Sequence, residues 1–103
     1  MKSKGYIAAV AGLLIAASGA AHAAGNAADG RIKSAQCTIC HGAGGQGDGP
    51  TPPIVSLDAA RFTAALNDFK SGRRKSPLME MMAKKLSDQD IADLAAHYAT
   101  LRK

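Results

Sequence analysis

Residues 37–50 read CTICHGAGGQGDGP, and two motifs of different chemistry overlap in this stretch. Residues 37–41 form Cys-x-x-Cys-His, the attachment signature of a c-type haem. Residues 42–47 also satisfy G-x-G-x-x-G, the pattern of a dinucleotide-binding loop. Such a loop leaves a strand and opens a helix, whereas here helix-like residues precede the glycines and D-G-P-T-P-P follows them. A helix cannot begin in that stretch, so the first motif is favoured and the glycines are expected to form tight turns.

The spacing of the first motif suits covalent attachment of a porphyrin. On a helix, Cys37 and Cys40 share a face, so both thiols can reach the vinyl edge of one ring. His41 can then offer a ring nitrogen to the iron as proximal ligand. A thioredoxin-like redox pair would need a βαβ context, and a zinc site would have to draw its remaining ligands from His97 and carboxylates. The motif therefore predicts one covalently bound haem c.

The beginning of the chain has the pattern of an export signal. Lys2 and Lys4 lead into the apolar run YIAAVAGLLIAASGAA, which ends in Ala-His-Ala. The run is short, rich in Ala and Gly, and followed by no stop-transfer charges, which favours cleavage over a membrane anchor. We expect residues 1–23 to be a cleaved signal peptide and residues 24–103 to form one periplasmic domain without membrane attachment. So small a domain usually needs an additional stabilising element, and a buried cofactor would provide one.

Hydrophobic periodicity predicts an all-α domain around the haem. Apolar residues recur at helical spacing in a middle and a last segment, and these stripes consist of Phe62, Ala65, Leu66 and Phe69, then Ile91, Leu94, Ala95, Tyr98 and Leu101. The predicted segments are a helix from an N-cap near Asp29 into the Cys-x-x-Cys-His turn, a loop over 42–57, a helix from Asp58 closed by Gly72, a short turn after Pro77, and a last helix begun by the capping-box-like pair Ser87 and Asp90.

Candidates for a second iron ligand lie in one cluster. Met79, Met81 and Met82 occupy the segment between the last two predicted helices. Periodicity favours Met82 as a core residue, because it precedes Leu86 by one helical turn. His97 falls off the apolar stripe of the last helix, so it is expected at the surface. The residues by themselves leave Met79 and Met81 open.

The chain resembles the class I bacterial cytochromes c over essentially all of residues 24–103. The resemblance rests on CTICHG, LNDFKSG and LMEMMAKKLSDQDIADLAAHYATL. It implies helices wrapped around one haem and one-electron transfer without enzymatic activity. It also implies Met79, seven residues before Leu86, as the distal ligand opposite His41. In this family a proline carbonyl accepts a hydrogen bond from the proximal histidine, and Pro50 is the best match for that proline, with Pro52 second.

A narrower resemblance concerns the loop after the motif. Pro50 follows His41 by nine residues, and this spacing is similar to that in the haem subunit of flavocytochrome c sulfide dehydrogenase. The resemblance implies a flavoprotein partner that oxidises sulfide, with Ile54, Val55 and Leu57 as an apolar docking patch. Many such subunits carry two haems, whereas this chain has one Cys-x-x-Cys-His. The alternative is a freely diffusing carrier for a terminal oxidase or reductase.

The charge distribution bears on the partner. The full chain carries 13 Lys plus Arg and 8 Asp plus Glu, for a formal charge of +5. A basic rim could steer an acidic redox partner or simply keep a small protein soluble. Nucleic acid is not expected, because aromatic residues are few and no binding motif is present. A haem enzyme or gas sensor would need an open iron, and therefore a labile or absent Met79 bond. The basic residues around the methionine segment are Arg73, Arg74, Lys75, Lys84 and Lys85.

Overall fold

A computed structural model of the chain describes residues 24–102 and contains five α-helices in this range. The predicted signal peptide, residues 1–23, lies outside the described residues. Among the described helices, none is both long and apolar enough to cross a bilayer. The helices are α1 (Ala27–Lys33), α2 (Ala35–His41), α3 (Ala59–Ser71), α4 (Pro77–Lys84) and α5 (Asp88–Leu101).

The first predicted helix is divided into two. Its N-cap is Asn26 rather than Asp29, because the Asn26 side chain accepts a hydrogen bond from the Asp29 N–H at 2.9 Å. Asp29 instead lies in the first turn, where a carboxylate interacts favourably with the helix dipole. The helix ends at Ser34, whose hydroxyl donates to the Arg31 carbonyl at 2.7 Å, and α2 starts at Ala35. Serine side chains compete in this way with the backbone pattern of a helix.

The boundaries predicted for α3 and α5 are confirmed by their caps. Asp58 caps α3 by accepting a hydrogen bond from the Arg61 N–H at 2.8 Å. Gly72 ends that helix in a left-handed conformation with φ of 81°, which glycine adopts without a Cβ penalty. At the start of α5, Ser87 and Asp90 form a complete capping box.

The predicted turn after Pro77 is a helix, α4. Ser76 caps it by accepting a hydrogen bond from the Met79 N–H, and Pro77 occupies its first turn, where its missing N–H is tolerated. Ala83 is completely buried, while Met82 is only partly buried. The expectation that Met82 fills the core was therefore wrong. The count back from Leu86 assumed one continuous helix. Helix α4 ends at Lys84, so Met82 and Leu86 do not lie on one face of the same helix.

The core forms where α3 and α5 pack together. Phe62 and Tyr98 approach with ring centroids 5.5 Å apart and tilted by 36°. The predicted stripes supply most of the core, although Leu101 at the end of α5 is 37% exposed. The buried hydrophobic cluster comprises Phe62, Leu66, Ala83, Leu86, Ile91, Leu94, Ala95 and Tyr98.

A close crossing of α1 over α5 covers a further face of the last helix. A Cβ on Gly30 would lie 1.9 Å from the Asp93 carbonyl oxygen and 2.9 Å from the His97 Cβ, so only glycine fits at this position. His97 is 8% exposed and lies edge-on against Tyr98. The expectation of a surface position for His97 was wrong, because α1 covers a face that the pattern of α5 alone assigns to solvent. Burial lowers the pKa of His97, and the charge of Arg31 lowers it further.

A buried carboxylate ties the beginning of the described chain to α5. Asp93 is 2% exposed, and its Oδ1 accepts hydrogen bonds from the Asn26 N–H and the Gln89 side chain, both at 2.8 Å. Its Oδ2 lies 2.6 Å from Lys33 Nζ, which also reaches Asp90 at 2.8 Å. These partners, with Lys33 first, lower the pKa of Asp93 to about 2. The buried charge is thus paired and fully hydrogen-bonded, as burial requires.

Replacing Gly30 with alanine tests the crossing. We expect Gly30→Ala to lower the free energy of unfolding by about 1–3 kcal/mol, because the new methyl group meets backbone atoms of α5 that cannot move aside. Urea unfolding followed by far-UV circular dichroism measures this loss. The matched control is Gly49→Ala, whose Cβ would meet nothing within 4 Å. Equal stability of the two variants would contradict the tight crossing.

The Asp93 network predicts a specific acid dependence of stability. Because the folded pKa of about 2 lies below the ordinary 3.8, ionised Asp93 stabilises the fold above about pH 4, and this contribution is lost as the pH falls toward 2. We expect Asp93→Asn to be less stable at neutral pH and to lose part of the acid dependence in this window. Thermal unfolding between pH 2 and pH 6 measures both effects. Asp88→Asn, an exposed change on the same helix, should retain the wild-type dependence; if both variants respond alike, the assignment fails.

Candidate haem site

Helix α2 presents the two cysteines one turn apart. Both thiols are free; Cys37 is partly buried and Cys40 is exposed. Cys37 packs against the hydrophobic core, and this burial raises the pKa of its thiol while the neighbouring Tyr98 hydroxyl acts in the opposite direction. The pair therefore offers one sulfur at the core and one at the surface of the same helix.

His41 ends α2 and is held by a single well-placed hydrogen bond. Its side chain is buried, and Nδ1 lies 2.8 Å from the carbonyl oxygen of Pro52. A carbonyl can only accept, so Nδ1 must carry the proton and the lone pair resides on Nε2. A hydrogen bond of this kind fixes the ring orientation and increases the basicity of the other nitrogen. His41 is thus preorganised as a metal ligand through Nε2.

The proline that accepts this bond is Pro52, so the preference for Pro50 was wrong. Asp48 and Thr51 exchange two backbone hydrogen bonds, at 2.9 and 2.7 Å, and close a tight turn. Pro50 lies inside that turn and is exposed. The chain returns toward the histidine only after Thr51, which brings the Pro52 carbonyl to the imidazole.

The glycines of the second motif fold this loop back onto α2. The Gly47 N–H donates to the His41 carbonyl at 2.7 Å, and its φ of 73° lies in the left-handed region. A Cβ on Gly45 would lie 2.7 Å from the Tyr98 ring, and the Gly45 carbonyl accepts bonds from the Ile54 and Val55 N–H groups. A helix precedes these glycines instead of a strand, and the next helix begins only at Ala59. The residues therefore form a compact loop and not a dinucleotide cradle.

Of the three clustered methionines, Met79 faces the core most directly. It lies in the first turn of α4, is partly buried, and packs against the same hydrophobic cluster as Cys37. Met81 is 53% exposed, and Met82 is partly buried. The fold thus brings the side chain of Met79, rather than that of Met81, to the cluster that Cys37 also contacts.

One polar group at the site was not found by sequence reasoning. The Tyr98 hydroxyl is buried and has no hydrogen-bond partner among the described residues. Burial raises the pKa of Tyr98, and the neighbouring Cys37 sulfur raises it further. The apolar stripe of α5 identified the ring as a core element, but nothing in the sequence indicated where the hydroxyl would lie.

The predicted apolar docking patch is partly buried. Ile54 and Leu57 are partly buried and pack against the core, so only part of each side chain is exposed. Val55 is partly buried and lines an open groove together with Leu101 and Arg102. The loop after the haem motif therefore uses its apolar residues mainly to close the domain.

Comparison with known families agrees with this geometry. Residues 23–97 match the profile of a family described as cytochrome c oxidase, cbb3-type, subunit III. The chain belongs to this cytochrome c family. Membership and fold together show an electron carrier with a small class I cytochrome c fold and a covalently bound haem c.

Individual cytochromes resemble the chain to different extents. Cytochrome c4 of Pseudomonas aeruginosa is 40% identical over 89 residues, which is 85% of this chain and 44% of that protein. Cytochrome c-554(548) of Halomonas halodenitrificans is 41% identical over 81 residues, or 75% of this chain and 98% of that protein. A thiosulfate dehydrogenase electron acceptor of Stutzerimonas stutzeri is 37% identical over 62 residues, which is 58% of this chain and 29% of that protein. The chain thus spans less than half of the first relative but nearly all of the second.

A solved cytochrome c4 structure has the same fold. The Acidithiobacillus ferrooxidans protein aligns with a TM-score of 0.70 and 27% identity, covering 79% of this chain and 52% of that one. The all-α prediction is therefore confirmed. The relatives are named as cytochromes and an electron acceptor, which agrees with the prediction of an electron-transfer protein that is not an enzyme.

The residues of this cytochrome fit the haem c that the family carries. The chain supplies two free thiols on one helix, an imidazole whose Nε2 lone pair is available, and a thioether packed on the apolar cluster. These are the donors that thioether attachment and axial ligation require. The Tyr98 hydroxyl, in the cluster against which Cys37 packs, has no hydrogen-bond partner among the described residues.

Proposed function

We propose that this cytochrome is a periplasmic one-electron carrier, exported by a signal peptide over residues 1–23. Its haem would be attached through Cys37 and Cys40, and His41 and Met79 would hold the iron. The observation that carries the proposal is the 2.8 Å contact between His41 Nδ1 and the Pro52 carbonyl. It leaves the Nε2 lone pair for the iron in a ring that cannot rotate freely.

The proposed ligands determine the type of chemistry. When bound, the haem supplies an iron couple for one-electron transfer, and a methionine ligand shifts that couple to higher potential. His41 and Met79 would together hold the iron, which would leave no open position for a substrate. Phe62, Leu66 and Tyr98 exclude water, and such apolar surroundings disfavour the extra charge of the oxidised state. The residues therefore favour electron transfer over catalysis at the iron.

A surface on α4 is suited to a transient redox partner. Leu78 and Met81 are one helical turn apart, and each is 53% exposed. The exposed cations Lys75, Lys84 and Lys85 flank them in sequence. Cationic residues around such a contact increase the rate of encounter with an acidic partner. The small apolar area keeps the resulting complex weak. Because Met79 extends from the same helix into the core, this α4 surface lies close to the proposed distal ligand.

We infer that the carrier diffuses freely. The chain covers nearly all of cytochrome c-554(548), so a domain of this size exists as a whole protein in that relative. Ile54 and Leu57 are partly buried against the core, which reduces the apolar surface that the predicted patch offers for permanent docking to a flavoprotein.

A flavoprotein sulfide dehydrogenase is the second candidate partner. The loop spacing after His41 resembles that of its haem subunit, and one relative is named as the electron acceptor of a thiosulfate dehydrogenase. Both features point to a donor that oxidises reduced inorganic sulfur. In this alternative the cytochrome is the non-catalytic subunit, and the flavin passes it electrons one at a time.

Removing each methionine in turn tests the ligand assignment. We expect Met79→Ala to lose the red-region sulfur-to-iron charge-transfer band of the oxidised protein, and the reduced protein to bind carbon monoxide. Met81→Ala is the matched control and should keep the band, because its side chain is largely exposed. Absorption spectra of both holoproteins measure the effect. If the band survives in Met79→Ala and disappears in Met81→Ala or Met82→Ala, the assignment is incorrect.

Gentle purification from the periplasm tests the partner. A freely diffusing carrier should yield a lone haem spectrum, and sulfide should reduce it no faster than it reduces the isolated recombinant chain. A flavin contribution that copurifies with the haem, together with much faster reduction by sulfide, would instead identify the subunit of a sulfide dehydrogenase. Absorption spectra recorded before and after sulfide addition distinguish these two results.

A further inference from the structure

The ring of Tyr98 is held from several directions. Phe62 on α3 contacts it with a centroid separation of 5.5 Å, and His97 lies edge-on at 4.9 Å. On the loop, a Cβ on Gly45 would lie 2.7 Å from Tyr98 Cε1, so the backbone lies closely against the ring. The position of the hydroxyl is therefore set by packing around the ring and cannot be adjusted by a change of rotamer.

This fixed hydroxyl has no hydrogen-bond partner among the described residues. The polar side chains that act on its pKa are those of Cys37 and Ser34. The Ser34 hydroxyl already donates its proton to the Arg31 carbonyl at 2.7 Å. The Cys37 sulfur packs against the cluster that contains Tyr98. Tyr98 lowers the pKa of the Cys37 thiol, and Cys37 raises the pKa of the Tyr98 hydroxyl, which agrees with the proximity of these two side chains. A buried hydroxyl without a partner is rare in folded proteins and calls for a physical explanation.

We propose that Tyr98 is a positioning residue for the haem attachment, and that its hydroxyl donates a hydrogen bond to the Cys37 sulfur in the mature protein. The inference rests on the proposed attachment of haem at Cys37. A free thiol is both a weak donor and a weak acceptor, whereas a thioether sulfur only accepts. Attachment thus gives the bond a single direction, from the tyrosine O–H to the sulfur.

Such a bond restrains the one attachment point that is not at the surface. Cys40 is exposed, so its sulfur has water around it, while Cys37 lies against the core. A donor on a clamped ring limits the rotation of the Cys37 side chain and so the orientation of whatever it carries. In this way α5 would contribute to the site through Cys37.

Isotope exchange on the holoprotein tests this hydrogen bond. Resonance Raman spectra recorded in H2O and after complete exchange into D2O should show a shift of a thioether carbon–sulfur band in the wild type. Tyr98→Phe keeps the ring and its packing but removes the donor, so its carbon–sulfur bands should not shift. A purely structural role of the ring would leave the isotope shift unchanged in this variant.

Two further variants identify the acceptor. Ser34→Ala should retain the isotope shift, and Cys37→Ala, which keeps the Cys40 thioether, should lose it. The proposal is overturned if the wild-type bands do not respond to D2O, if Ser34→Ala abolishes the response, or if Cys37→Ala retains it. Mass spectrometry of the wild type reports haem attachment independently, so failure of the proposed function is distinguishable from failure of the hydrogen bond.

Discussion

The crossing of α1 over α5 is the constraint on which the haem site depends. At Gly30 the two backbones approach so closely that a single methyl group would overlap the Asp93 carbonyl. Because only Ser34 separates α1 from α2, this contact also sets the direction in which α2 leaves the crossing. Cys37 is thereby brought to the hydrophobic cluster and His41 to the returning loop. The most local motif of the sequence is thus positioned by one of the longest-range contacts.

The main features of the fold could be predicted, since they depend on local rules. The caps at Asp58, Gly72 and Ser87 follow from side-chain chemistry within one helical turn. The errors arose where a neighbouring element decides the outcome. His97 is buried because α1 lies over it, and no periodicity within α5 contains that information. The helix at Pro77 was predicted as a turn, although its Ser76 cap was present in the sequence.

The hydrogen bond between His41 and Pro52 is another feature that local sequence rules could not predict. Both Pro50 and Pro52 could in principle bring a carbonyl to the imidazole, and a resemblance in spacing favoured the first. The reciprocal bonds between Asp48 and Thr51 decide in favour of the second, because they place Pro50 in an outward turn. Turn geometry depends on several residues at once, so counting from the histidine could not distinguish the two prolines.

The buried polar groups divide according to how they are satisfied. At the crossing of α1 over α5, the Asp93 carboxylate accepts hydrogen bonds from three protein groups. Near α2, the Tyr98 hydroxyl lacks a protein partner, and the hydrogen bond of His41 to Pro52 occupies only one of its ring nitrogens. Unsatisfied groups reduce stability until something completes them. The α1–α5 crossing is therefore satisfied by protein groups alone, whereas the region between α2 and α5 leaves one buried hydroxyl without a partner and one imidazole nitrogen free for a ligand.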